Sequence, residues 1–283
     1  MSDRLRVNQD SVLLPFLNTK LKDWTRTKIK QRLKTGCVVV NGQPIKQHDY
    51  ELKIGDDVEV RATVKNMHRG AFHLEILYSD SDIIVINKPA GLLSVGSADK
   101  NKQHALAILR KQLRSSKNSI RLWPVHRLDR DTSGVLMFAT SREIREAISE
   151  GWSGAKKTYL AIVDGKPNPS QGKIDQPLRM DLERYQMIVG QHPDSKKAIT
   201  HFNTLRTVKG RALLEVQLET GRQHQIRVHM AWLGHPVIGD IRYGSKGPRM
   251  GLHALQLSIT QPKTGKRLTF EAPAPNQFLD LLR

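Results

Sequence analysis

The stretch His126-Arg127-Leu128-Asp129-Arg130-Asp131-Thr132-Ser133-Gly134 sets carboxylates, guanidinium groups and an imidazole side by side, then runs straight into the apolar Val135 to Ala139. A strand entered from such a cluster places a charged loop at the end of a sheet, where functional loops sit on a rigid scaffold. A capped turn with local ion pairs is the plainer alternative. A second cluster follows the strand break at Thr220-Gly221: Arg222, Gln223, His224, Gln225, Arg227 and His229. Gln225 and His229 are four apart, so a helix starts here, and its N-terminal amides with the nearby arginines suit a phosphate-like anion. Four residues and no Glu separate His224 from His229, so the HExxH zinc pattern is absent.

The composition points to the same kind of partner. Lys plus Arg total 46 against 27 Asp plus Glu, a formal net charge of +19. So basic a chain either has a polyanionic partner or tolerates strong self-repulsion, and nucleic acid leads among partners. The length of 283 residues favours about two domains, and 38% hydrophobic residues suffice for ordinary cores. Cys37 is the only cysteine, which excludes an internal disulfide framework and Cys-clustered zinc and fits a reducing cytoplasm. No apolar run approaches 18 residues, so no membrane span is expected. The opening MSDRLRVNQD has no apolar core and does not read as a secretory signal.

Several elements must position these clusters. Ser11 to Leu33 reads as two helices, the second with Thr25 or Thr27 as cap, Ile29 and Leu33 inward, and Gly36 as stop. Arg26, Lys28, Lys30, Arg32 and Lys34 give that helix a one-signed charge that suits a phosphate-tracking face, a solvated face being the plain reading. The run CVVVNGQPI reads as a hairpin at Asn41-Gly42, and ELKIGDDVEV as further strand around a Gly-Asp turn. Ala62 to Gly70 reads as linker. HLEILYSDSDIIVINK reads as one strong strand, buried on both faces at Ile83 to Ile86 and ended by the turn Lys88-Pro89-Ala90-Gly91. A helix is expected around Ala105 to Leu113, and helical pattern recurs at REIREAIS and HQIRVHMAWLG. TYLAIV, AITHFNTLR, RALLEVQLE, LHALQLSI and RLTFEAP read as strands. Strands and helices interleave without a βαβ period, so the fold class is α+β rather than doubly wound α/β.

HRLDRDTSG (126 to 134) closely resembles the signature of the RluA-type pseudouridine synthases. INKPAGLLSV (86 to 95), KKTYLAIV (156 to 163), TGRQHQIRVHMAWLGHPVIGD (220 to 240) and LHALQLSI (252 to 259) resemble the family's other motifs, in the family's order. The resemblance covers about Leu74 to the C-terminus. The first 60 or so residues resemble an S4-type RNA-binding domain, although LLPFL departs from the usual start of its first helix. The resemblance implies an α+β pseudouridine synthase fold with a central mixed or antiparallel β-sheet over residues 74–283, a linker over 63–73, and a small α+β S4-type domain over 1–62.

It also implies a reaction: uridine within RNA detaches from its anomeric carbon, turns, and rejoins through carbon 5. Asp129 matches the family's essential aspartate, acting on the sugar as nucleophile or as the base that leads to a glycal. Asp131 matches a variable position and takes a supporting or solvated role. Tyr159 matches the active-site tyrosine, stacked on uracil with its hydroxyl near the departing C5 proton. Arg222 matches the basic residue that pairs with the aspartate and keeps it ionised. Arg127 matches an arginine that braces the flipped-out nucleotide; His126 either shares that task or is a hydrogen-bonded turn histidine. Arg227 is assigned to substrate binding. No metal, nucleotide or redox cofactor is called for, since the isomerisation gains and loses no atoms. The expected partner is RNA, with large-subunit ribosomal RNA first and transfer RNA second, bound by a cytoplasmic monomer. A non-catalytic RNA-binding or ribosome-assembly factor on the same fold is the rival, and it would be expected to lack the Asp, Tyr or Arg.

Overall fold

A computed structural model describes residues 3–41, 43–45, 47–60, 73–96, 103–114, 121–244 and 246–283. The chain divides into two compact units, Met1–Phe72 and His73–Arg283. The linker reading at 63–73, except His73, Gly42 of the hairpin, and much of the polar stretch 97–118 lie outside the described residues.

In the first unit the helices Leu13–Lys20 and Arg26–Lys34 bury Leu13, Phe16, Leu17, Ile29 and Leu33 in one core with Val38, Val40, Val58 and Val60. The second helix forms where its signals put it. The Thr25 hydroxyl accepts from Lys28 N at 3.3 Å, and Gly36 takes the left-handed φ of 75° that ends the helix. Val40 pairs with Gln43, the register of a two-residue hairpin, with Asn41 at φ 49°. An unforeseen strand, Asp3–Arg6, lies at the edge of this sheet and pairs antiparallel with Asp57–Val60.

The second unit is built on a ten-stranded mixed sheet. Its main path runs Gln171–Asp175, Ile199–Val208, Arg211–Leu218, Lys156–Asp164, Leu252–Thr260, Ser133–Ala139, Ile83–Lys88, Glu75–Ser79. Neighbours along it are antiparallel except Ser133–Ala139 with Leu252–Thr260, which are parallel. The reading of residues 73–88 as one strand is corrected: two antiparallel strands reverse at Asp80, whose carboxylate accepts from the N–H of Asp82 and Ile83 at 2.8 Å each. Every residue of Ser133–Ala139 is buried, as the apolar run requires. The helices Ala105–Leu113, Arg142–Glu150 and Gln225–Trp232 fall where the periodicity puts them.

One row across this sheet matters for function. Lys88, Gly134, Ala254 and Tyr159 are successive cross-strand partners. Gly134 sits at φ 114°, and a Cβ there would run into the Ala254 carbonyl, so the last residue of HRLDRDTSG must be glycine for the two central strands to pair. Among the described residues, no helix is long and apolar enough to cross a membrane.

Candidate active site

The loop 126–132 enters the central strand Ser133–Ala139 and is clamped from behind by the INKPAGLLSV segment. The Ser94 hydroxyl donates to Leu128 O at 2.7 Å and accepts from Leu128 N at 3.0 Å. The buried Lys88 ammonium donates to Pro89 O, Leu92 O and Arg130 O at 2.9, 2.7 and 3.1 Å. Burial lowers Lys88 to about 7, against the opposing pull of Asp131 and Asp129. The backbone is therefore pinned on both sides of Asp129, whose side chain stays 29% exposed at the wall of an open cleft.

That cleft has a volume of about 1710 Å³. Pockets for small ligands run to roughly 300–1,000 Å³, so this one suits a segment of a larger molecule. Arg127, Arg130, Lys157, Arg184, Arg222 and Arg242 line it, against the carboxylates of Asp129, Asp131 and Asp240. Arg130 and Asp131 pair with each other through two bonds of 3.1 Å, so Asp131 is answered by its own neighbour.

Asp129, Tyr159, Arg127, His126, Arg222 and Arg227 all line this cleft, so the structure brings together the site residues read from the second unit's sequence. Two assignments change. Arg227, not Arg222, holds Asp129: its Nη1 donates to Asp129 Oδ2 at 2.8 Å, while Nε and Nη2 donate to the buried Asp240 carboxylate at 2.6 and 2.9 Å. Arg227 lies inside the helix Gln225–Trp232 with its side chain only 8% exposed, so it needs carboxylates for company. Burial works against its charge, but Asp240 and Asp129 outweigh that and lock it cationic. Arg222 precedes the helix, is exposed, and gives its Nε to Lys197 O at 2.9 Å.

His126 also has a fixed place. Its Nε2 accepts from Met137 N at 3.2 Å, and its ring stacks on Trp152 at 5.2 Å. Burial, with Lys157 beside it, pushes its pKa down to about 4, so it is neutral and committed to the protein. Arg127 is exposed on the cleft wall. Tyr159 is half-buried, and burial together with the Asp129 charge raises its pKa, so it remains a phenol.

The helix Gln225–Trp232 carries more structural polarity than its composition suggests. Gln225 Oε1 accepts from Thr220 Oγ1 and Arg222 N at 2.8 and 2.9 Å, and its Nε2 donates to Ile199 O and Thr200 Oγ1 at 2.9 and 3.0 Å. His229 is wholly buried between Thr200 Oγ1 and Gln176 O. These groups hold the loop before the helix and leave no anion site at their own positions. His224, at φ 55°, meets Tyr243 Oη at 2.8 Å through Nδ1, with Nε2 3.8 Å from Asp129 Oδ2. Asp240, Lys88, Ser94 and Tyr243 were not singled out from sequence; the first three lay inside quoted motifs, where only their burial would have marked them. Among the described residues, no group of three His, Cys, Asp or Glu is placed to hold a metal.

In the first unit, Arg26, Lys28, Lys30 and Lys34 are exposed on the helix Arg26–Lys34, and Arg32 is half-buried. Lys28 lies 3.9 Å over the Trp24 ring. Four of the five basic residues therefore face solvent, as a phosphate-tracking face needs.

Comparisons with known proteins show the family. Residues 82–232 match the family model described as RNA pseudouridylate synthase, and residues 13–58 match the S4 domain. An uncharacterized RNA pseudouridine synthase of Bacillus subtilis is 36% identical over 280 residues, covering 94% of this chain and 91% of the relative. The ribosomal large subunit pseudouridine synthase D of Vibrio cholerae is 33% identical, covering 92% of this chain and 86% of the relative. The solved human RNA pseudouridylate synthase domain containing 4 superposes with a TM-score of 0.61 at 28% identity, over 72% of this chain and 90% of that one. With its clamped aspartate in a basic cleft and its separate S4 domain, the chain belongs to the RluA-type RNA pseudouridine synthase family.

Proposed function

We propose that Asp129 is the catalytic carboxylate of a pseudouridine synthase acting on large-subunit ribosomal RNA. The observation that carries the assignment is Asp129 itself: a partly exposed carboxylate on the wall of a basic cleft, with one oxygen held by a permanently charged Arg227. The other oxygen is available to a substrate. Isomerisation breaks the bond from C1′ to N1 and forms one from C1′ to C5; the C5 proton leaves and N1 gains one, so the reaction needs no outside reactant. Asp129 serves it either by attacking C1′ or by taking the 2′ proton on the way to a glycal. A stacked uridine cannot reach that oxygen, so the nucleotide must leave its stack. Arg127, exposed beside Asp129, braces the opened strand. Tyr159, a neutral phenol in the same cleft, offers a ring face to the base and a hydroxyl for relaying the C5 proton.

Ribosomal RNA is favoured because relatives across most of this chain's length are named for the large ribosomal subunit. The basic helix Arg26–Lys34 adds a sequence-independent hold on phosphates. Every group named comes from one chain, so a monomer suffices, and a ribosomal substrate fits action in the cytoplasm. The test is to map pseudouridines in large-subunit and transfer RNA from cells with the protein, without it, and with Asp129→Asn. The reading requires specific large-subunit positions to lose pseudouridine in the last two. Loss confined to transfer RNA would reassign the substrate.

A further inference from the structure

One wall of the cleft takes no part in the chemistry described so far. It is formed by Arg184 and Gln186, from the hairpin of the antiparallel strands Leu178–Asp181 and Gln186–Val189, and by the turn after Asp240. Two bonds tie these pieces together: Arg242 Nη1 donates to Tyr185 O at 2.6 Å, and Met187 N donates to Tyr243 Oη at 3.1 Å. Leu178 and Met187 root the wall in a small core with Val228. Its outer part carries the three most exposed large hydrophobic side chains among the described residues. Tyr185 is 77% exposed, Leu182 74% and Ile241 83%, and Ile241 lines the cleft together with Arg184 and Arg242.

Folding does not account for these side chains. Tyr185 sits at φ 49°, where glycine or asparagine would be less strained, yet a large ring stands there in water. Ile241 is an apolar side chain presented to solvent in the same cleft as Asp129. Extruding a nucleotide breaks the stacks on both sides of it, so its neighbours lose partners at the moment the reactive base enters the cleft. A surface that restacks them lowers the cost of extrusion. Aromatic and apolar faces beside guanidinium groups are the chemistry that does this for single-stranded RNA.

We propose that this wall docks one or two unstacked bases flanking the extruded uridine. Tyr185 and Ile241 pack on the base faces, and Arg184 and Arg242 hold the adjoining phosphates. The inference rests on the reading that the Asp129 cleft receives an extruded uridine. The arginines favour RNA over an apolar protein partner.

The test uses the full-length protein and an unmodified transcript of large-subunit ribosomal RNA. Initial rates of pseudouridine formation are measured against RNA concentration for the wild type, Tyr185→Ala, Ile241→Ala and Tyr185→Phe. Each alanine variant is expected to raise KM about tenfold, with kcat within about threefold and an unchanged Tm. Tyr185→Phe, which keeps the ring face, should bring KM back to within about twofold of the wild type. Binding of the same transcript is measured with each change placed on Asp129→Asn, which makes the result independent of turnover. Unchanged KM and binding in both alanine variants, with pseudouridine still formed, overturns the wall and leaves the Asp129 reading standing. Unchanged RNA binding with an altered sedimentation coefficient overturns it in favour of a protein contact. Weakened binding by the alanine changes, in a protein whose wild type makes no pseudouridine on any RNA, defeats the reading of the site and with it the flanking-base proposal.

Discussion

Arg227 links Asp129 to Asp240: the buried Asp240 takes Nε and Nη2 at 2.6 and 2.9 Å, and this fixes the direction in which Nη1 meets Asp129 at 2.8 Å. Asp240 is itself held, since its Oδ1 also accepts from Arg242 N and Tyr243 N at 3.2 and 3.3 Å. The carboxylate proposed to react is thus aimed by a relay that begins at the buried Asp240.

Asp129→Asn keeps the shape of the side chain but removes the negative oxygen. Pseudouridine formation should fall by roughly 10³-fold or more, with RNA affinity changed by less than about threefold. Single-turnover assays and filter binding on the same transcript check both. Appreciable turnover by this variant would transfer the role to another group.

Arg227→Ala leaves Asp240, which is fully buried, without its counter-charge. Removing one member of a buried pair costs about 3–5 kcal/mol. Urea unfolding should show a loss of that order, and Asp240→Asn should lose activity too, because Arg227 is no longer aimed. If Arg222→Ala proves equally damaging to stability, the relay is not the structural element argued for.

The neutral His126 makes stability depend on pH. Its folded pKa is about 4, below the ordinary 6.5. A group depressed in this way contributes fully above pH 6.5, and the contribution is lost as pH falls through about 4, because the unfolded chain takes up the proton first. The loss is on the order of 3 kcal/mol at its limit. Denaturation curves at pH 7 and pH 4.5 should separate more for the wild type than for His126→Gln, whose amide oxygen can still accept from Met137 N. Equal pH dependence in the two proteins would show that His126 is not the titrating group.

Replacing Arg26, Lys30 and Lys34 together by Gln should lower the slope of log affinity against log salt by about 2–3, each lost phosphate contact contributing ~1. The saturated rate should be unaffected, since all three belong to the first unit and Asp129 to the second. An unaltered salt slope would return this helix to the status of a solvated face.

Local signals and tertiary ones divided the legibility of this chain. The helix Arg26–Lys34 was readable because its cap, its stop and its inward Ile29 and Leu33 all lie within a dozen positions. The loop around Asp129 was readable because its charge changes abruptly to an apolar strand. Arg222 and Arg227 were harder to rank, since both stand in one basic run. Which of them reaches Asp129 depends on where the helix begins and on Asp240, and the sequence alone does not show that burial. The hairpin Leu178–Val189 and the edge strand Asp3–Arg6 were missed for a related reason: their strands are only four residues long and are held by pairing rather than by periodicity.

The strand Leu252–Thr260 lies between Ser133–Ala139 and Lys156–Asp164, although it is synthesised after both. Until it is translated, the strand that follows Asp129 and the strand that bears Tyr159 have no shared neighbour to bring them together. A chain in which this strand has not yet paired therefore lacks the frame that holds the Asp129 loop and Tyr159 on one cleft.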